Sequence, residues 1–286
     1  MKILVGYPPL ESSKGIPLLS QNRQFQYFNN PTFLYPVEMA TLATMLKNAG
    51  HEVTWLDAAA QYVKQEKFYE ILNKNQFDMF IFETKSPVVK RQWEISKKFK
   101  KSFPKMKLVV VGDHVSWEEG IRETMQNSEI DFAVNGGYFD FAVSELVEAL
   151  TNNKEIPKGV WYRKNSTIVE QGRYNFRGNI NDAPFPDRDL VPIEPYSKEY
   201  NLARKPHTYI MSGRDCWYGK CTFCVWDHTL YPQGTFRVRS PENVLDEVGV
   251  LIEKYGVKEI FDDCGTITIG SWLKGFCEGM IERGYN

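Results

Sequence analysis

Short apolar runs alternate with longer amphipathic stretches over the first half of the chain. Lys2–Tyr7 (KILVGY) is a compact run with branched side chains, of the kind that forms a buried strand. After a loop rich in Pro, Gly, Ser and Asn, the apolar positions Met39, Leu42, Ala43 and Leu46 share one face of a helix predicted over residues 36–49, and Gly50 suits its end. The alternation then repeats. HEVTWLD at 51–57, FDMFIFET at 77–84, KMKLVVVGD at 105–113 and IDFAVNGG at 130–137 read as strands, and the segments near 63–74, 89–103, 117–126 and 138–150 read as helices. Five strands separated by helices predict an α/β domain over residues 1–150, a Rossmann-like parallel sheet with helices on both faces. Ligands of such sheets bind at the carboxyl ends of the strands.

The loops at those ends read YPPL, LDAA, ETKSP, GDHVS and NGGYFD. Gly112, Gly136 and Gly137 would let the backbone turn tightly or approach a bulky ligand. No G-x-G-x-x-G follows the first strand and no G-x-x-x-x-G-K-[ST] occurs, which argues against a dinucleotide and removes a P-loop nucleotidase. Residues 151–206 are Pro-rich, with GVWYRK and TIVEQG suited to a hairpin, and read as a linker along the surface of two domains. A new strand–helix pattern starts at 207: HTYIMSG, a helix over 241–255, VKEIFDD, and a helix near 271–283. Ser240 is a natural N-cap before Pro241, with Asn243 at the position where a capping box holds Glu or Gln.

Composition narrows the class. At 286 residues the chain has room for about two domains, and 42% hydrophobic with 25% charged residues is the composition of a soluble globular protein. The mean hydropathy of −0.42 agrees, and no apolar run approaches the ~20 residues of a membrane helix. The opening MKILVGYPPL lacks the long apolar core of a secretory signal, so a cytoplasmic protein is expected, with no membrane partner. A net charge of −1 gives no case for a nucleic-acid partner, and the basic stretch KKFKKSFPKMK at 97–107 reads as a solvated helix face.

Three of the five cysteines lie in CWYGKCTFC, residues 216–224. Disulfides are unexpected in a cytoplasmic protein. Inert core cysteines rarely sit among Gly, Lys, Asp and Arg. Two inorganic readings remain: a Cys3His zinc site with His228 as fourth ligand, or an iron–sulfur cluster held by three thiolates. In a 4Fe-4S cube three cysteines leave one iron open to a small molecule.

The block SGRDCWYGKCTFC, followed by SPENVLDEV and EIFDD, resembles the cluster loop of radical S-adenosylmethionine (SAM) enzymes. With the preceding five-stranded domain and NDAPFPDRDLVP, nearly the whole chain resembles the subgroup with an N-terminal cobalamin-binding domain. The resemblance implies a cobalamin-binding domain at 1–150, a linker at 151–206, and the start of a partial (β/α) barrel at 207–286. It implies that Cys216, Cys221 and Cys224 hold the 4Fe-4S cluster, that SAM binds the open iron, and that Phe223 lies near the adenine. Asp262 or Asp263, at a strand end, is then expected near SAM. The corrinoid would lie on Pro8, Pro9, Ser86, Gly112, Asp113, His114, Val115, Gly136, Gly137 and Tyr138. Arg214 and Asp215 could orient the loop or form a surface ion pair, and Cys264 and Cys277 read as ordinary core or near-site residues.

The resemblance further implies reductive cleavage of SAM to a 5'-deoxyadenosyl radical, with methyl transfer to an unactivated carbon, or cyclisation or rearrangement, as the outcome. The partners implied are a small-molecule or peptide substrate and an electron donor such as flavodoxin or ferredoxin. A reading of another class is a non-catalytic ligand-binding module with the Cys3His zinc site. Three departures stand out. The first gap is C-x4-C where the family usually has C-x3-C, an insertion that Gly219 could absorb. The D-x-H-x-x-G signature of a cobalt-ligating histidine is absent. Two βα units are present where such barrels typically have about six, so the substrate-facing strands are expected to lie outside this chain and the chain to be incomplete.

Overall fold

Residues that alternate between burying one face and burying both build the sheet in the computed structural model, which describes residues 1–10, 13–17, 19, 27–28, 33–198, 202–231 and 234–285. The strands are β1 (Lys2–Tyr7), β2 (Glu52–Asp57), β3 (Met79–Glu83), β4 (Lys107–Val111) and β5 (Phe132–Val134), and all five pair in parallel in the order β2-β1-β3-β4-β5. Helices α1 (Val37–Asn48), α2 (Gln65–Asn75), α3 (Val89–Ser102), α4 (Glu118–Asn127) and α5 (Phe139–Thr151) connect and flank them. Ile3, Val5, Met79, Ile81, Val109 and Val111 pack on the face that meets α1 and α5. Leu4, Phe80, Phe82, Leu108 and Val110 pack on the other, against Phe68, Phe99 and Ile121 of α2, α3 and α4. The continuous apolar run in β3 and β4 follows from burial on both faces, as parallel sheets require.

The expected hairpin forms and extends this sheet. β6 (Val160–Lys164) and β7 (Thr167–Val169) add antiparallel beyond β5, giving seven strands. The remainder of the Pro-rich segment departs from the surface linker that its composition suggested. Val191, Ile193 and Tyr196 are buried in the same core as α1. Tyr196 donates to Asp57 Oδ2 at 2.9 Å, Tyr35 donates to the Val191 carbonyl at 2.9 Å, and the buried Arg188 guanidinium lies 3.8 Å from the Tyr35 ring. The segment follows the core through turns and two short 3-10 helices, Ile180–Asp182 and Glu194–Tyr196, burying Val191, Ile193 and Tyr196 while Asp189 and Glu194 stay exposed.

The second unit is small. β8 (His207–Ile210) pairs in parallel with β11 (Glu259–Asp262), and β9 (Gly213–Arg214) pairs antiparallel with β10 (Arg237–Val238). α6 (Pro241–Glu253) starts at Ser240, whose hydroxyl accepts from the Asn243 amide at 3.2 Å. The Asn243 side chain does not reach back as in a capping box; it accepts from Arg239 Nε at 2.6 Å. α7 (Ser271–Glu282) packs on α6 and buries none of its residues fully. Tyr209, Ile210, Val244, Val248 and Leu251 join the core that contains β1 and α1, so the two units share one apolar interior.

Candidate functional site

The order of the parallel strands reverses between β1 and β3, and such a switch point opens a crevice at the carboxyl ends. Beside it, at the carboxyl ends of β3, β4 and β5, lies a cavity of about 310 Å³, in the lower range for small-molecule sites. Glu83, Lys85, Gly112, Asp113 and Gly137 line it from the sheet, and Glu38 from α1. Phe223, Cys224, Val225, Trp226, Leu230 and Tyr231 line it from the cysteine loop and the turn that follows.

The sheet side carries the charge. Tyr7 ends β1 and donates to Glu83 Oε2, at the end of β3, over 2.6 Å. Lys85 Nζ lies 2.9 Å from Asp113 Oδ2 and 3.8 Å from Glu83 Oε1. One ammonium thus serves two carboxylates and stands closer to Asp113. Burial pushes the Glu83 carboxyl up to about 8, with Asp113 and Glu38 adding to the rise and Lys85 and Tyr7 opposing it. Burial pulls Lys85 down, but Asp113 and Glu83 outweigh it and the ammonium is held above its ordinary range.

The loop side is anchored through Arg214, two residues before Cys216. Its guanidinium forks onto both carboxylate oxygens of Asp140, at 2.7 and 2.5 Å, and lies 3.6 Å from Glu38. The Tyr138 and Phe141 rings stand 5.4 and 5.6 Å from it. The surface-pair alternative for Arg214 and Asp215 is therefore corrected: Arg214 is 4% exposed and Asp215 is fully buried. Asp215 enters the loop with φ of 73°, a left-handed conformation that is uncommon for residues other than glycine, and Gly219 follows at 57°. Beyond the cysteines the chain returns to the sheet. The Gly137 amide donates to the Leu230 carbonyl at 2.6 Å, and Tyr231 donates to Glu38 at 3.1 Å.

The candidate residues separate into distinct groups. Cys224, Phe223, Gly112, Asp113 and Gly137 meet at the cavity. Cys216, Cys221 and Cys224 are all free and partly accessible, and Phe223 is 87% exposed at the cavity's edge. The two glycines serve packing as much as any ligand: a Cβ on Gly112 would lie 2.6 Å from Glu83 Cγ, and one on Gly137 would lie 2.7 Å from the Tyr231 ring. Gly137→Ala is expected to cost about 1–3 kcal/mol by displacing Tyr231, readable as a lower urea midpoint with an unchanged slope.

His114 and Val115 face away from the cavity. His114 Nδ1 is 2.9 Å from Ser86 Oγ, Nε2 is 3.4 Å from Glu123, the ring meets Trp93 edge-on, and burial pulls its pKa down. Val115 belongs to the core on the far face of the sheet. Tyr138 stacks on Phe176 under Arg214, with centroids 4.9 Å apart. Pro8, Pro9 and Gly136 continue the strand ends and do not line this cavity. Asp262 accepts from the Ser212 amide at 2.9 Å and from the Ser212 hydroxyl, tying β11 to the end of β8, and the Asp263 amide donates to Ile210 at 2.9 Å. Cys277 is exposed on α7, and partly buried Cys264 bonds the Thr266 carbonyl at 3.0 Å, so Cys277 is no core residue.

His228 Nε2 lies 3.0 Å from the Cys221 carbonyl, which engages the imidazole with backbone. Among the described residues no three of His, Cys, Asp and Glu gather to hold a metal ion. A four-iron cube spreads three thiolates more widely than a single ion does. None of the described helices is long and apolar enough to cross a membrane.

Glu38, Glu83, Lys85 and Asp140 were not singled out by sequence reasoning. Glu83 and Lys85 carried a signal, two opposite charges closing an otherwise apolar strand run, MFIFETK. Glu38 and Asp140 carried none, because each is an acid in the first turn of a helix, where acids are common for the helix's own sake.

No family model matches the chain. It is 26% identical over 271 residues to an uncharacterized methyltransferase of Pyrococcus horikoshii, covering 93% of this chain and 54% of that protein. It is 27% identical over 259 residues to the anaerobic magnesium-protoporphyrin IX monomethyl ester cyclase of Cereibacter sphaeroides, covering 87% of this chain and 40% of that one. The cobalamin-dependent S-adenosylmethionine radical enzyme OxsB has the same fold over 99% of this chain and 37% of its own, at 16% identity. The TM-scores are 0.66 for the apo form and 0.69 with aqua-cobalamin, with or without S-adenosylmethionine. The chain thus spans about half or less of the length of the proteins it matches. The resemblance read from the sequence holds in its fold: a Rossmann-like sheet followed by a smaller strand–helix unit, arranged as in OxsB.

Proposed function

We propose that this chain is the cofactor-binding part of a cobalamin-dependent radical SAM enzyme. The observation that supports this most directly is a cavity with the third cysteine of CWYGKCTFC on one wall and the carboxyl ends of the parallel strands, beside the switch point, on the other. The donor set fits a 4Fe-4S cluster, since three free thiols share one loop and thiolates are the usual ligands. Cys216, Cys221 and Cys224 would hold it, with Phe223 beside the bound SAM. The polar lining of Glu38, Glu83, Lys85 and Asp113 suits the amide-bearing rim of a corrinoid. His114, turned aside, supplies no ligand to cobalt from its place.

When bound, the cluster would supply the electron that cleaves SAM to a 5'-deoxyadenosyl radical, and the corrinoid would supply the methyl group. The chain's own part is placement and exclusion of water. Arg214 and Asp140 hold the loop against the sheet, and Trp226 and Tyr231 close the cavity behind Cys224. Methyl transfer to a small molecule or peptide is the favoured reaction, because the relative that covers more of this chain is named a methyltransferase. Ring formation is the second reading, carried by the relative named a cyclase. The electron donor would be of the flavodoxin or ferredoxin kind.

Anaerobic reconstitution of the whole chain with iron and sulfide tests this reading. The expected product is brown, contains iron and acid-labile sulfide in equal amounts, and retains methylcobalamin through gel filtration. Stoichiometric zinc without labile sulfide, and no retained corrinoid, would overturn it.

A further inference from the structure

Glu83 lines the cavity with one oxygen hydrogen-bonded and the other held only by a longer ion pair. Glu83 Oε2 accepts from Tyr7, while Oε1 makes no hydrogen bond among the described residues and has Lys85 Nζ as its neighbouring cation at 3.8 Å. Lys85 lies closer to Asp113, at 2.9 Å. The groups that face Glu83 are Tyr7 from β1, Lys85 beyond the end of β3, Asp113 from the turn after β4, and Glu38 from α1. Three carboxyls therefore surround one ammonium, and Glu38 also serves Arg214 and Tyr231. Glu83 is 4% exposed, so contact with water offsets little of that excess of negative charge. The arrangement is relieved when Glu83 holds a proton, and a carboxylic acid is a donor where a carboxylate is only an acceptor.

Resting on the corrinoid reading of the cavity, we propose that Glu83 acts as a hydrogen-bond-donating carboxylic acid toward a carbonyl oxygen on the rim of the bound corrinoid. Tyr7 fixes the acid by occupying Oε2, which leaves Oε1 and its proton toward the ligand. Lys85 is held aside by Asp113, so the donor is an uncharged one suited to an uncharged amide. Ligand amides would then be recognised at the switch point by a side chain whose donor capacity depends on its proton. The sign follows: the acid form donates, so binding is full at low pH and weakens as pH rises through about 8, where Glu83 ionises in the free protein.

The test is equilibrium binding of methylcobalamin to the whole chain, read by tryptophan quenching from about pH 6 to about pH 10. Methylcobalamin is the probe because its cobalt carries a methyl group rather than a titrating water. The dissociation constant should rise about three- to tenfold across the transition, the size of one net hydrogen bond. Glu83→Gln keeps an N–H donor in the same place and an oxygen to accept from Tyr7. It should bind as the wild type does at low pH, with no transition, which separates Glu83 from the thiols on the facing wall. A flat wild-type profile, or a Gln variant that keeps the transition, overturns the role of Glu83 while the corrinoid reading stands. Failure of the wild type to bind methylcobalamin at any pH overturns the corrinoid reading, and with it the acceptor assigned to Glu83.

Discussion

Asp140→Ala is expected to lower the stability of the chain by about 3–5 kcal/mol, because it strands a guanidinium in the interior. Asp140 is fully buried in the first turn of α5, and both its oxygens accept from Arg214. Without it, the nearest charged partner of Arg214 among the described residues is Glu38 at 3.6 Å, beside two aromatic rings. Denaturant unfolding should show the loss as a shifted midpoint. The double replacement Arg214→Met with Asp140→Leu removes both charges, and buried pairs exchanged for apolar groups are often neutral or stabilising by about 1–4 kcal/mol. Its stability should therefore return toward that of the wild type. What should not return is the anchoring of the cysteine loop, because Arg214 is two residues from Cys216 and its fork fixes where that loop meets the sheet. Iron retained after reconstitution should stay low in the double variant although the fold is restored. Equal recovery of stability and iron content would show that the pair contributes folding energy and nothing to the loop.

The strands were legible because burial on both faces demands unbroken runs such as MFIFE and KLVVV, which little else in a soluble protein produces. The parallel order followed from helices between every pair, and the rim followed from that order. The path of the Pro-rich segment was not legible. The partners that hold Val191 and Tyr196 are Tyr35, Trp55 and Asp57, 139 to 156 residues earlier in the chain, where no local pattern points to them. The site divided in the same way. Cysteine spacing is local, so CWYGKCTFC stood out, and Gly219 inside its longer first gap has a φ of 57°. His114 was placed correctly at a strand end, yet a one-turn helix after Gly112 rotates it toward Ser86 and Glu123 and away from the cavity. Asp262 likewise ends its strand as expected but spends its oxygens on Ser212. A strand end can be read from sequence; the direction of a side chain leaving it depends on partners many residues away.

Cys216→Ala, Cys221→Ala and Cys224→Ala should each reduce iron and acid-labile sulfide to background in the anaerobically reconstituted chain, the largest effect expected of any substitution on cofactor content. A cube with only three protein thiolates has no spare ligand, and loss of one leaves two irons without protein. Cys277 lies exposed on α7, and Cys264 is committed to Thr266, its thiol pushed up to about 11 by burial, so neither is placed to substitute. Cys277→Ser should leave iron and sulfide unchanged. His228→Ala separates the two inorganic readings. A Cys3His zinc site would lose its metal with the imidazole, whereas a three-thiolate cluster would keep its iron, because His228 bonds the Cys221 carbonyl rather than the metal. Retention of full iron and sulfide by any one of the three cysteine variants would refute the assignment of that thiol. If all three single variants lose the cluster while His228→Ala keeps it, the three thiols are its protein ligands and the Cys3His zinc reading is overturned.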